Sequence, residues 1–167
     1  VKAALKGFSF GEFKPEFPGV AEPRTGKSMG ESCEDMAKTW QIAREDQDRL
    51  AYESHQKAAA AYARGFYSDL VMPFCGLDKD NILRPDTSLE KLATLKPAFD
   101  KRSGQGTLTA GNSTNLSDGA SVALLSSEQW AHDNNREIQA YLLDAQVAAV
   151  DFVAGEGLLM APAWAVA

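Results

Sequence analysis

Residues 106–127 read GTLTAGNSTNLSDGASVALLSS, and inside them Thr109–Asp118 (TAGNSTNLSD) is a run of small and hydrogen-bonding side chains set between two apolar stretches. Glycine, alanine and serine leave room for backbone to approach a ligand and expose amide groups to it. The plainer reading is a tight turn with an Asx cap from Asn112 or Asp118, and spacing alone does not choose between the two. Gly104, Gly106, Gly111 and Gly119 fit neither the Rossmann nor the Walker spacing, so nucleotide binding of those kinds is unsupported.

Outward from that run, Thr107–Asn112 reads as a short strand or turn and Ala120–Leu125 (ASVALL) as a buried strand. A helix is expected over Ser127–Arg136, and Ile138–Val150 as a further strand region. On the N-terminal side, Lys101–Gly106 reads as a surface turn. Thr87 and Glu90 have capping-box spacing before Leu89, Leu92, Ala93 and Leu95, predicting a short helix that stops before Pro97. Phe66–Phe74 (FYSDLVMPF) fits an edge strand.

The clearest helix is Arg44 to about Arg64, where Gln47, Leu50, Ala51, Ser54, Ala58, Ala61 and Tyr62 recur at three- and four-residue spacing and form the inner stripe. Gly65 supplies its stop. A shorter helix is expected from Gly30 to about Trp40, with Glu31, Glu34 and Asp35 early and Lys38 late, as the helix dipole favours, and with Met36, Ala37 and Trp40 facing inward. Residues 7–28, with prolines at 15, 18 and 23, read as an extended lead-in.

Composition narrows the function classes. The 167 residues are 44% hydrophobic and 24% charged, as in a globular domain, and the formal net charge of −6 argues against broad binding to nucleic acid or an anionic membrane. Residues 79–102 run the other way, with six bases (Lys79, Arg84, Lys91, Lys96, Lys101, Arg102) against four acids (Asp80, Asp86, Glu90, Asp100), a local +2. That patch is a seat for an anionic ligand, or simply a solvated helix with its loops. Cys33 and Cys75 are too few for a disulfide framework and lack metal-site spacing, so a reducing compartment is the default. The acids around Cys33 would raise its thiol pKa, the wrong setting for a nucleophile. His55 and His132 have no metal-ligand partner at helical or turn spacing and read as ordinary residues. Val1–Phe10 lacks the apolar core of a secretory signal. The longest apolar run, Gly157–Ala167, holds a proline and falls short of the roughly 20 residues a membrane span needs. Because the sequence stops inside that run without a polar cap, a truncated product is expected.

Three blocks carry a family resemblance: Met29–Lys38 (MGESCEDMAK), Lys96–Asp100 (KPAFD) and Gly106–Ser127 together resemble the middle portion of thiolases, in the family's order and at compatible separations. Leu158–Trp164 (LLMAPAW) is similar to the degradative thiolases of fatty-acid β-oxidation, 3-ketoacyl-CoA thiolases and acetyl-CoA acetyltransferases. The resemblance implies an α/β, thiolase-like fold present in part. It implies an extended lead-in over 1–28, a mostly helical loop domain covering coenzyme A over 29–105, the end of the N-terminal half over 106–136, and the start of the C-terminal half over 137–167.

The resemblance also implies function. The parent is an acyltransferase that moves an acyl group between 3-ketoacyl-CoA or acetyl-CoA and coenzyme A through a cysteine thioester. The family's reactive cysteine lies upstream, its Asn/His-Glu-Ala-Phe, Gly-His-Pro and Cys-x-Gly motifs lie downstream, and this chain holds no catalytic residue. Carried over position by position, Met29 borders the pantetheine and acyl pocket, with Ser28 where a histidine often stands. Arg84 reaches the nucleotide end; Leu95 and Phe99 lie against adenine and pantetheine; Lys91 stands where serine is common. Ala110, Thr114 and Leu116 line the pantetheine arm, and Met160 sits near a pocket methionine. Coenzyme A and acyl-CoA are substrates, with no permanently bound cofactor and no metal. The implied parent is a homodimer or homotetramer, alone or with a multifunctional β-oxidation subunit, in the cytoplasm or, in a eukaryote, in mitochondria or peroxisomes. The alternative is a stand-alone, non-catalytic acyl-CoA-binding or interaction module.

Overall fold

The computed structural model describes residues 19–166. The reading of Val1–Phe10, and the part of the lead-in before residue 19, lie outside them. Among the described residues five helices follow in order: α1 (Met29–Thr39), α2 (Arg44–Ala63), α3 (Leu89–Ala93), α4 (Glu128–Asp133) and α5 (Ala161–Val166).

Local chemistry explains where the helices begin and end. Ser28 opens α1 with a complete capping box: its hydroxyl accepts the Glu31 N–H at 3.2 Å, and Glu31 Oε2 accepts the Ser28 N–H at 2.8 Å. Three helices close with the same two-bond motif around a left-handed residue. After α1, Gln41 at φ 53 is followed by an Ile42 N–H donating to the Ala37 carbonyl at 2.8 Å. After α2, Gly65 at φ 75 is followed by Phe66 N–H to Ala61 O at 3.0 Å, so the expected glycine stop is where the helix ends. After α4, Asn135 plays that part, with Arg136 N–H to Ala131 O at 2.8 Å. The cap of α3 is Ser88, whose hydroxyl accepts the Lys91 N–H, rather than Thr87. No helix of the described residues is long and apolar enough to cross a membrane.

Several sequence expectations do not hold. Trp40 is exposed, and the buried residues of α1 are Ser32, Glu34 and Ala37. Glu34 is therefore not a solvated dipole partner but an interior group. In α2, Leu50 is 71% exposed and Asp48 only 4%, so the stripe read as a core face is partly an open surface. Phe66–Phe74 is not a strand: residues 66–70 are turns, Val71 N–H donates to Tyr67 O at 3.0 Å, and the Tyr67 ring lies tilted against Tyr62 and meets Phe66 edge-on, local contacts that an extended chain would break. The stretches 120–125 and 138–150 form no strand among the described residues, and Val122, Leu143 and Val147 are almost fully exposed. A strand needs backbone hydrogen bonds from a neighbour, and the described residues supply no backbone–backbone bond to these segments. Residues 107–112 form a turn, joined to residues 97–98 by an isolated bridge, Pro97 to Thr109, and an Ala98 N–H to Leu108 O bond of 2.8 Å.

The interior sits where α1, α2, α3 and this bridge meet. Ala37, Leu92 and Leu108 are buried, Ala61 is buried towards the far end of α2, and α3 packs against α2. Lys38 of α1 forms an ion pair with Asp100, whose carboxyl is held well below the usual carboxylate range by that pair first and then by Ser103 and the Arg102 amide. Beside it, Gly106 is enclosed by backbone: a Cβ there would fall 2.3 Å from the Asp100 carbonyl oxygen and 2.6 Å from Pro97 Cβ. Gly106→Ala should thus lower stability by about 1–3 kcal/mol, since neither neighbour can swing aside. Chemical denaturation of the variant checks this, and an unchanged midpoint would contradict the enclosure.

Candidate functional site

A groove of about 700 Å³ opens between α2, the loop 80–87, α3 and the loop 108–115. One wall is the outward part of the α2 stripe, Leu50, Ala51, Ser54, His55 and Ala58. The stripe's alanine and serine content makes this wall low, and Leu50 is exposed because it faces the groove rather than a neighbouring helix. The opposite wall is the small-residue run, Ala110–Asn115. Arg84 and Lys91 stand along it, and Leu92 and Leu95 form an apolar stretch.

The loop wall is built from a buried hydrogen-bond network. Glu34 of α1, 2% exposed, accepts from Thr107 N–H at 2.8 Å, Thr107 Oγ1 at 2.8 Å and Leu108 N–H at 3.0 Å. Asn112 turns back on its own loop, its Oδ1 accepting the Thr109 N–H at 2.7 Å. Its Nδ2 donates to Thr107 O at 3.1 Å and to Asp48 Oδ1 at 2.9 Å. Asp48 in turn accepts from Arg44 Nε at 2.8 Å, and Arg44 Nη2 donates to the Leu92 and Leu95 carbonyls at 2.7 and 3.2 Å. Thr109 is fully buried, and Gly111 lies so close to Leu92 and Leu95 that a Cβ would come within 2.6 Å of both side chains. The loop is thereby clamped from α1 on one side and α2 on the other.

The nine residues expected at the site divide into groups. Arg84, Lys91, Leu95, Ala110 and Thr114 line this one groove. Lys91 Nζ is drawn back onto the Asp86 carbonyl at 2.5 Å and carboxylate at 3.1 Å, so its charge is partly committed. Met29 and Phe99 are not on the lining; the Phe99 ring covers Gly30, the residue after Met29 at the start of α1. Met160 lies against Gly157, beside Met36. Leu116, 96% exposed, is on neither. Ser28, at the position where a histidine is common, is occupied in capping α1.

Sequence reasoning missed Glu34, Asp48 and Arg44 as determinants of the site, and took Asn112 only as a possible turn cap. Burial, and then the Glu34 charge, push the Cys33 thiol up, while Cys75 is exposed in the turn joining Phe74 and Leu77, which pair through two 2.9 Å backbone bonds. Among the described residues no group of three or more metal-ligating side chains occurs.

The backbone as a whole is part of an α/β, thiolase-like fold. It superposes on human mitochondrial 3-ketoacyl-CoA thiolase in complex with CoA with a TM-score of 0.72 at 27% identity, over 84% of this chain and 39% of that one. Against the Bacillus anthracis acetyl-CoA acetyltransferase the TM-score is 0.69 at 31% identity, with the same coverage. Residues 12–129 match the family "Thiolase, N-terminal domain", and the chain belongs to the thiolase family. It is 42% identical to the 3-ketoacyl-CoA thiolase of Vibrio cholerae serotype O1 over 96% of its own length, and 42% identical to that of Alteromonas mediterranea over the same share. It spans 38% and 37% of those two proteins, little more than a third of the curated relatives it matches.

Proposed function

We propose that this chain forms the coenzyme-A-covering part of a degradative 3-ketoacyl-CoA thiolase, holding the cofactor-like substrate while residues elsewhere in the parent protein transfer the acyl group. The observation that carries the proposal is the convergence of Arg84, Lys91, Leu95, Ala110 and Thr114 on one groove. Its shape suits a nucleotide joined to a thin arm. Arg84 and Lys91 provide cationic groups for phosphate, Arg84 with a planar fork that also suits an adenine face. Leu95 offers apolar contact, and the low wall of Ala110–Thr114 lets a flexible amide chain lie close to backbone. Met29, Phe99, Leu116 and Met160 belong to the same proposal as contacts further along the substrate. So do the boundaries 1–28, 29–105, 106–136 and 137–167 for lead-in, loop domain, end of the N-terminal half and start of the C-terminal half.

In the parent, a cysteine thiolate attacks the 3-keto carbon of the 3-ketoacyl-CoA, an oxyanion site stabilises the charge that develops, the C2–C3 bond breaks so that acetyl-CoA leaves as a carbanion and takes up a proton, and the coenzyme A thiol then takes the shortened acyl group from the enzyme thioester, freeing the cysteine. This chain contributes orientation, which is worth several kcal/mol of barrier when the reacting sulfur is held in line. By itself it should give no thiolysis of acetoacetyl-CoA.

An NMR titration of the isotope-labelled chain with coenzyme A tests the binding site and reads weak affinities. The expected result is movement of the amide signals of Arg84, Leu95 and Ala110–Thr114, with Arg84→Ala weakening binding by about tenfold or more, the value of a lost charge-assisted hydrogen bond. Signal changes confined to other segments, or an Arg84→Ala affinity equal to the unsubstituted chain, would refute the placement.

A further inference from the structure

Arg84 sits on a strap, residues 80–85, that crosses the face of α2 and is tied to it at three points. Tyr62 Oη accepts the Asp80 N–H at 2.9 Å, His55 Nδ1 accepts the Arg84 N–H at 3.3 Å, and Gln56 Nε2 donates to the Pro85 carbonyl at 3.3 Å. The strap is also braced internally, with Ile82 N–H donating to Asp80 Oδ1 at 2.8 Å. Arg84 Nη1 donates to Asn81 O at 2.8 Å and Leu83 O at 3.1 Å. One edge of the guanidinium is therefore spent on fixing its direction, and Nε and Nη2 have no protein partner among the described residues.

We infer that His55 is a positioning residue for Arg84: its Nδ1 anchors the Arg84 backbone so that the guanidinium is presented, already oriented, to an anionic group in the groove. The inference rests on the coenzyme A assignment above and deepens it. Of the three ties, the His55 bond is the one made to Arg84 itself. Arginine has many rotamers to lose on binding, and a guanidinium held in advance loses fewer at the moment of contact. His55 also lines the groove directly, so the anchor and the group it orients face the same ligand.

The same NMR titration, run with coenzyme A and with pantetheine, separates this role from general support. His55→Ala removes the acceptor yet suits a helix interior, and His55→Asn restores an oxygen acceptor on the same branch atom as Nδ1. Loss of one neutral hydrogen bond predicts a Kd for coenzyme A raised by about three- to tenfold in His55→Ala. His55→Asn should stay within about twofold of the unsubstituted chain on the same scale. Pantetheine lacks the nucleotide and phosphates, so its affinity should be unchanged in both variants. His55→Ala should add no further loss once Arg84 is already alanine. Equal weakening for both ligands, full additivity with Arg84→Ala, or no effect of His55→Ala while the unsubstituted chain binds normally would each overturn the inference alone. Absence of coenzyme A binding by the unsubstituted chain would overturn the parent assignment with it.

Discussion

Replacing Glu34 with alanine should detach the groove's loop wall from α1 and cost about 3 kcal/mol or more. The carboxylate accepts three hydrogen bonds, from two backbone amides and one hydroxyl of Thr107 and Leu108, more than seventy residues away in sequence. Bonds to a charged acceptor are worth about 1.5–3 kcal/mol each, and a buried donor left without a partner costs a further ~1–3 kcal/mol. These terms overlap, because the freed donors can recover some water, so the expectation of about 3 kcal/mol or more is set below their plain sum. Glu34→Gln is the sharper probe. It keeps volume and one carbonyl oxygen but turns an NH2 toward at least one of the same donors, so it should recover only part of the loss. Hydrogen exchange at the Thr107 and Leu108 amides reads the effect where it occurs: protection there should fall by about a hundredfold in Glu34→Ala. Amides of α2 that do not touch the loop should change much less. If Thr107 and Leu108 keep their protection, the carboxylate is not what holds the wall.

Glu34 also marks the limit of what the sequence discloses. Helix ends are written in neighbouring residues, so the Gly65 stop and the 20-residue span of α2 were legible, the α3 cap slipped only from Thr87 to the adjacent Ser88, and the Ser28 box, equally local, was passed over in favour of a start at Gly30. The strand expectations for 120–125 and 138–150 read apolar content correctly but could not see whether a partner backbone was present. Phe66–Phe74 combined strand-favouring residues with a local aromatic cluster, and the cluster prevailed. For the groove, spacing alone offered a choice between turn and ligand wall, and only the family resemblance connected Arg84, Lys91 and Leu95 with Ala110 and Thr114. The supports of that wall stayed hidden for a physical reason. A buried acid satisfied by donors more than sixty positions away has the same local signature as an acid in water, and Glu34 and Asp48 both looked like ordinary helix-surface charges.

Asp48→Ala should be at least as damaging as Glu34→Ala, at about 3–5 kcal/mol, because it breaks a buried ion pair from one side only. Asp48 is 4% exposed and divides its oxygens between Arg44 Nε and Asn112 Nδ2. Without it, the Arg44 guanidinium, on a side chain 19% exposed, stays largely out of water, held by the Leu92 and Leu95 carbonyls but with no compensating charge. Asn112 loses the contact that ties the loop 107–112 to α2. Two consequences follow from burial rather than from charge alone. Added salt should hardly change the loss, since screening acts weakly on a pair removed from water. And the double variant Arg44→Met, Asp48→Leu should be more stable than Asp48→Ala, because exchanging both partners for apolar groups of similar bulk leaves no stranded charge. Denaturation midpoints of the three proteins at low and high salt measure both effects. The double variant should nevertheless bind coenzyme A more weakly than the unsubstituted chain, since Asn112 has still lost its tether and Ala110–Thr114 are freer to move. A double variant that regains stability and full affinity together would show that the α2 clamp supports the fold without shaping the groove.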